Sequence, residues 1–194
     1  MKIRLANPED CLPIANLHAE SWRNAYQGMF SAKYLEQDIF ADRRHVWGER
    51  FQNPKPGQYV IVAEDGLIIA KDDRSPKTDP KRNSKHELIG FACAFANDHP
   101  RWGALLDNLH VLPSLKRQGI GTKLTAHIAV WIVENYPGQG MSLHVLESNS
   151  AARKFYERVG GVPVEELLWT APDGNKLKEF RYAWTDLTPL LALQ

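Results

Sequence analysis

Apolar residues along this chain switch between two periods, and the switches divide it into elements. Residues 2–5 alternate weakly, which predicts a short first strand, and Asn7-Pro8-Glu9-Asp10 behind them has the chemistry of a helix start. Ile14, Leu17, His18, Ser21, Trp22, Ala25 and Tyr26 then recur at spacings of three and four, a helical stripe that Gln27-Gly28 interrupts. A second helical stretch is predicted between Ser31 and Phe51, before Asn53-Pro54-Lys55-Pro56-Gly57, a cluster that cannot continue a helix. Tyr59-Val60-Ile61-Val62-Ala63 is β-branched and reads as a strand, with Glu64-Asp65-Gly66 as its turn. Leu88 to Ala96 and Ala104 to Leu112 follow as apolar strands. The second feeds through Pro113 into a long helix, from about Gly119 to Asn135, whose stripe is Ile120, Leu124, Ile128, Trp131 and Ile132. Met141 to Leu146 reads as a strand and Ser150 to Val159 as a short helix. Two strands close the pattern, Val162 to Thr170 and Leu177 to Trp184, joined by the hairpin signal Pro172-Asp173-Gly174-Asn175.

The order βαα-βββ-α-β-α-ββ implies an α/β fold, a mixed sheet with helices on both faces. At 194 residues, about 1.3 times a nominal ~150-residue domain, the chain is expected to form one domain, 1–194. Within it, residues 71–86 hold five Lys or Arg beyond Lys71, three Asp, two Pro and no large apolar side chain, the composition of an exposed, mobile loop insertion. The balance of 24 Lys plus Arg against 23 Asp plus Glu gives +1, which removes the electrostatic reason to expect nucleic-acid or membrane-surface partners. No apolar run approaches the ~20 residues of a bilayer span. Met1-Lys2-Ile3-Arg4-Leu5 lacks a secretory apolar core, and only Cys11 and Cys93 could form a bridge, so a reducing cytoplasm is the expected setting.

The segment that carries chemistry is Leu109-His110-Val111-Leu112-Pro113-Ser114-Leu115-Lys116-Arg117-Gln118-Gly119-Ile120-Gly121-Thr122-Lys123-Leu124. A strand runs into a basic, glycine-containing turn and then a helix. Helices ordinarily place acids in the first turn, where the dipole favours them by roughly 0.3 to 1 kcal/mol. This one offers Lys116, Arg117 and Lys123, with no acid between Leu112 and Ile132. That is unfavourable for an empty helix and sensible for one that receives an anion, with backbone N–H groups bared by two glycines. A pyrophosphate site is the expectation. The bland alternative is a tight strand-to-helix turn decorated with solvated bases. A P-loop needs Gly-Lys-Ser/Thr, whereas Thr122 separates Gly121 from Lys123. A dinucleotide fingerprint needs a third glycine where Leu124 stands.

The pattern resembles the GNAT superfamily of acyl-CoA-dependent N-acetyltransferases. Their acyl-CoA loop, Arg/Gln-x-x-Gly-x-Gly/Ala after a strand ending in Val and a Pro, is matched by Lys116-Arg117-Gln118-Gly119-Ile120-Gly121, with Lys116 where Arg or Gln is usual. The second motif, Asn-x-x-Ala-x-x-Phe-Tyr-x-x-x-Gly-Phe, is matched from Asn149 through Ala152, Phe155 and Tyr156 to Gly160, with Gly161 replacing the final Phe. The element order agrees with that fold along essentially the whole chain. The resemblance implies a single-domain, mostly antiparallel mixed sheet with a splayed central strand pair, opening in a V between the strand ending near Val111 and the one beginning near Met141. It also implies acetyl-CoA as cosubstrate, with no metal.

Acyl transfer to an amine needs a deprotonated nucleophile. A Lys-type amine near pKa 10.4 is neutral in about one molecule in 2,500 at pH 7, an α-amine near 7.8 in roughly one in seven. The resemblance makes Tyr156 the candidate acid for the departing sulfur, the alternative being a packed helix tyrosine. Asp107 is the candidate base, since on an alternating strand Leu105, Asp107, Leu109 and Val111 share a face; a structural carboxylate is the alternative. The resemblance implies cosubstrate contacts at Leu109, His110 and Val111, along the turn from Lys116 through Arg117, Gln118, Gly119, Ile120 and Gly121 to Thr122, and at Asn149, Ala152 and Phe155. Asn149 also reads as a plain helix N-cap. Trp22 and Tyr26, in line with His18, are candidates for the acceptor site, although such stripes commonly belong to a core. His110 and His144 read as hydrogen-bonded strand histidines, not metal ligands. With neither a GxSxG elbow nor a Cys-His arrangement, direct transfer to a primary amine in a ternary complex is expected. The alternative is a non-catalytic acyl-CoA-binding sensor. The acceptor is expected to be a small molecule or peptide, and the chain a monomer or homodimer.

Overall fold

A computed structural model describes residues 1–65 and 87–193. The expected loop at 71–86 and the turn at Gly66 lie outside the described residues. The elements follow the anticipated order: β1 (Lys2–Leu5), α1 (Cys11–Ala25), α2 (Ile39–Gln52), β2 (Gln58–Asp65), β3 (Glu87–His99), β4 (Gly103–Val111), α3 (Ile120–Asn135), β5 (Met141–Leu146), α4 (Ser150–Arg158), β6 (Val162–Thr170), β7 (Lys176–Trp184) and α5 (Thr188–Leu191). Among the described residues the strands form a seven-stranded sheet of order β1-β2-β3-β4-β5-β7-β6, in which β4 and β5 pair in parallel and the other pairs are antiparallel.

Helices cover both faces, each through the stripe its sequence spells. Leu124, Ile128 and Ile132 of α3 are fully buried against Ile61, Ala92, Leu106, Leu143 and Tyr182, with Val159 behind α4 and Leu190 of α5 in the same cluster. Trp131, on the flank of that stripe, stacks on Tyr59 with centroids 4.5 Å apart. On the opposite face, Ile14 and Leu17 of α1 and Trp47 of α2 bury Val60, Val62, Phe91 and Cys93. A third cluster joins the end of α1 to Leu146 and Ala171 through Phe30, Tyr34 and Ile39.

Two details depart from the sequence pattern. The helical stretch after Ser31 begins with a turn of π-helix, Tyr34–Asp38, in which the Ile39 N–H reaches the Tyr34 carbonyl, before α2 proper. The short α5, with Leu190 fully buried, has no counterpart in the expected elements.

What positions the site is the contact between β4 and β5. Their ladder has two rungs, Ala104 with Met141 and Leu105 with Ser142, and beyond them the strands part. Leu106 and residues 108–111 keep their β3 partners, and none of residues 106–111 has a partner on β5. The V expected between these strands is therefore present, closed at Gly103 and open towards Val111.

Candidate functional site

The open edge of β4 owes its phase to a β-bulge. Across β3, Cys93 faces Asn108 and Ala94 faces Leu106, so Asp107 is the extra residue. Before it, the Ala104 N–H points across the closed end to the Gly140 carbonyl, at 3.0 Å. After it, the Leu112 N–H bonds back to Ile89 on the β3 side, at 2.9 Å, so alternation turns Leu109 and Val111 towards the opening. Side chains shift with the backbone: Ala104 and Leu106, then Leu109 and Val111, all pack on the α3 cluster.

The expected shared face of Leu105, Asp107, Leu109 and Val111 is therefore wrong, because strict alternation does not survive an inserted residue. Asp107 leaves that face for α2, where its Oδ2 lies 2.7 Å from Arg50 Nη2.

At the mouth of the V the turn reaches α3. Arg117 and Gly119 are both left-handed, with φ of +65° and +81°, a conformation glycine adopts freely and arginine at some cost. Lys116, Arg117, Gln118 and Gly119 are exposed and Ile120 is buried. Within α3 the first backbone donor to find a partner is Lys123, bonded to the Gly119 carbonyl at 3.0 Å, and no side chain caps the helix. The N–H groups of Ile120, Gly121 and Thr122 thus face outward beside two bases and no acid.

Gly121 also sets the distance to α4. A Cβ there would lie 3.6 Å from the Phe155 ring and 3.9 Å from Val111, so the two sequence motifs meet at this residue. Asn149 caps α4, its Oδ1 accepting from the Ala152 N–H at 3.2 Å. Gly161, the departure from the second motif, is explained by Trp184: a Cβ would lie 2.6 Å from that indole, which fills the volume a phenylalanine would take and donates to the Val159 carbonyl at 2.9 Å.

Tyr156 packs between Phe155, Tyr182 and Trp184, and burial holds its phenol above the ordinary value, with the nearby Tyr26 adding to the shift. Tyr26 is pushed up to about 12 by burial, while the Asn149 amide beside it pulls the other way. Both phenols are therefore held protonated at neutral pH. Tyr26 also stacks with Trp22 and Phe30, and Trp169 completes this aromatic wall. Tyr26 thus stands beside Asn149 and Tyr156 with Trp22 packed behind it, while His18 is buried in the core and hydrogen-bonded by Trp47. His110 is half-buried, its Nδ1 2.9 Å from Ser21 Oγ, and desolvation together with the Lys116 and Arg43 charges pushes it down to about 3.

One pair escaped the sequence. His144 occupies the outward position between buried Leu143 and Val145, and its Nδ1 lies 3.0 Å from Glu179 Oε1 on β7. The imidazole is 34% exposed and the carboxylate 10%. A carboxylate fixes Nδ1 as the protonated nitrogen and leaves Nε2 free to accept a proton. The signal was the polar residue on a buried strand; its partner could be found only by knowing that β5 pairs with β7. Among the described residues no group of three His, Cys, Asp or Glu is arranged for a metal ion, and no helix is long and apolar enough to cross a membrane.

Comparisons with known proteins bear on the family and the fold. Residues 19–161 match the model of the acetyltransferase (GNAT) family. An uncharacterized N-acetyltransferase of Bacillus subtilis (strain 168), YuaI, is 25% identical over 193 residues, covering 98% of this chain and 96% of the relative. An N-terminal acetyltransferase complex ARD1 subunit homolog of Dictyostelium discoideum is 31% identical over 85 residues, 44% of this chain and 42% of that protein. Among solved structures, Arabidopsis thaliana NAA60 in complex with acetyl-CoA superposes with a TM-score of 0.64 at 17% identity, covering 94% of this chain and 97% of that one.

Proposed function

The chain belongs to the acetyltransferase (GNAT) family, and from that premise we propose that it moves the acetyl group of acetyl-CoA to a primary amine of a small molecule or peptide, by direct attack in a ternary complex. The observation that carries the reading is the parting of β4 from β5 directly beside a helix start that holds bases and no acid. The residues suit the ligand: the left-handed Gly119 leaves open space where a Cβ would project, and the outward N–H groups of Ile120, Gly121 and Thr122 receive the pyrophosphate, with Lys116 and Arg117 supplying charge. Acetyl-CoA supplies the thioester. The Leu109 and Val111 N–H groups hold the pantetheine and polarise the acetyl carbonyl.

His144 takes the base role in this reading. Its Nε2 accepts the proton the amine must lose, and Glu179 stabilises the imidazolium that forms. Asp107 is set aside because its carboxylate is committed to Arg50 on the far side of the bulge. Tyr156 serves at the general-acid position by donating a hydrogen bond to the departing sulfur. Full transfer from so firmly protonated a phenol to a thiolate of ordinary pKa near 8.5 runs uphill. Trp22, Tyr26 and Trp169 form the wall along which the acceptor approaches.

The test is CoA thiol release across an amine panel at several pH values. Tyr156→Phe is expected to lower kcat about 10²-fold or more while CoA binding persists, and His144→Ala to lower kcat by a similar factor, again with CoA binding kept. Unchanged kcat in both variants, or wild-type protein that releases no thiol with any amine, would sink the assignment.

A further inference from the structure

The bulge that sets the phase of β4 is gripped from another element. Arg50, in the last turn of α2, reaches Asp107 Oδ2 with Nη2 at 2.7 Å and Asn108 Oδ1 with Nη1 at 2.6 Å; the same nitrogen lies 3.7 Å from Cys93 Sγ on β3. These are the inserted residue, the residue after it and the partner opposite, so one guanidinium binds all three sides of the irregularity. The cation is confined by aromatic rings, with Trp47 and Phe95 centroids at 4.9 Å and 5.3 Å. Gln58 fixes its backbone, donating to the Arg50 carbonyl at 3.0 Å.

An unpinned strand has a cheaper alternative: expel the bulge and run in simple alternation. That shift by one residue would turn Asn108 and His110 to the opening and withdraw Leu109 and Val111. We propose that Arg50 is a positioning residue for the cosubstrate, holding β4 in the phase that presents the Leu109 and Val111 amides to the cleft. The proposal rests on the reading of that cleft as the acetyl-CoA site. A planar fork is needed, because two acceptors on adjacent residues are held by separate nitrogens, which a lysine ammonium does not reproduce.

Two measurements test it. Amide hydrogen exchange on the unliganded protein is expected to show Leu109 and Val111 exchanging fast, with His110 protected by β3. In Arg50→Met that contrast collapses. Calorimetric titration with CoA is expected to give a Kd raised at least about ten-fold in Arg50→Met, nearly as much in Arg50→Lys, and only about three-fold in Asp107→Asn, which keeps the Asn108 bond. KM for acetyl-CoA rises in step while KM for the amine stays put, a split that general loosening of the fold would not produce. Should Arg50→Met fail to fold, Arg50→Lys and Asp107→Asn carry both measurements. A folded Arg50 variant with the wild-type exchange pattern, or with the wild-type CoA Kd, overturns the clamp. Wild-type protein that binds no CoA instead overturns the cosubstrate reading, and the exchange pattern still decides on Arg50.

Discussion

The two ends of the β4–β5 junction are built on opposite terms. At the closed end backbones meet with no side chains between them: a Cβ on Gly103 would overlap the Gly140 carbonyl oxygen, and one on Gly140 would lie 2.5 Å from the Trp184 carbonyl oxygen. Three strands, β4, β5 and β7, are pressed together there. Eight residues on, β4 keeps β3 but has lost β5 and lies beside Gly121 and the helix start, with donors facing outward and bases gathered around them. One end maximises close packing, the other withholds it. The difference teaches that the opening is a product of the weld: strands that part must first be fixed where they meet.

Breaking the weld should have the largest effect. Gly140→Val forces side-chain atoms into backbone and is expected to cost more than about 3 kcal/mol, measured by urea unfolding. A loss under 1 kcal/mol would mean that the closed end is not what holds the pair. Acid should act next, through buried His18 of α1 and half-buried His110 of β4. Their folded pKa values are depressed, His110 to about 3 and His18 likewise downward, so the unfolded chain takes up protons first. The His110 stabilisation is present above pH ~6.5 and is lost as pH falls from there towards 3, by about 1.4 kcal/mol per pH unit, and His18 acts in the same direction. A urea midpoint that stays flat between pH 6.5 and 5 would contradict this.

Changes at the open end should touch binding and leave the fold in place. Gly121→Glu, next to Phe155, is expected to abolish the thermal shift given by CoA while lowering the unliganded Tm by only a few degrees. The smallest change sharpens the contrast most. Arg117→Gly relieves a left-handed arginine, so it is expected to stabilise the protein by up to about 1 kcal/mol and yet weaken CoA binding and flatten its salt dependence. If stability and affinity rose together, Arg117 would have no part in gripping phosphate.

What the sequence disclosed follows the same division. The start of α3, the helix at 150–158 and every strand were legible because their signals are local: a period, a turn residue, a motif within thirteen positions. The bulge was not. Nothing in Leu105-Leu106-Asp107-Asn108-Leu109 announces an inserted residue; it is fixed by Arg50, 57 positions before Asp107, and alternation taken at face value put Asp107 on the wrong side. The His144–Glu179 pair was hidden likewise, since a strand histidine acquires meaning only through a neighbour strand 35 positions on. Gly161 looked like a missing aromatic, and the aromatic was present, supplied by Trp184 from another strand.

A sheet interrupted in its middle also has unfinished hydrogen-bond valence along β4. On the proposed reading a guest chain with its own amides would complete that lattice as a surrogate strand segment, linking occupancy to folding by mass action: acetyl-CoA at 100 times its dissociation constant would add about 2.7 kcal/mol to the folded state. The abundance of this protein in a cell should then track the supply of activated acetyl groups, with starvation leaving a shorter-lived population exposed to proteolysis.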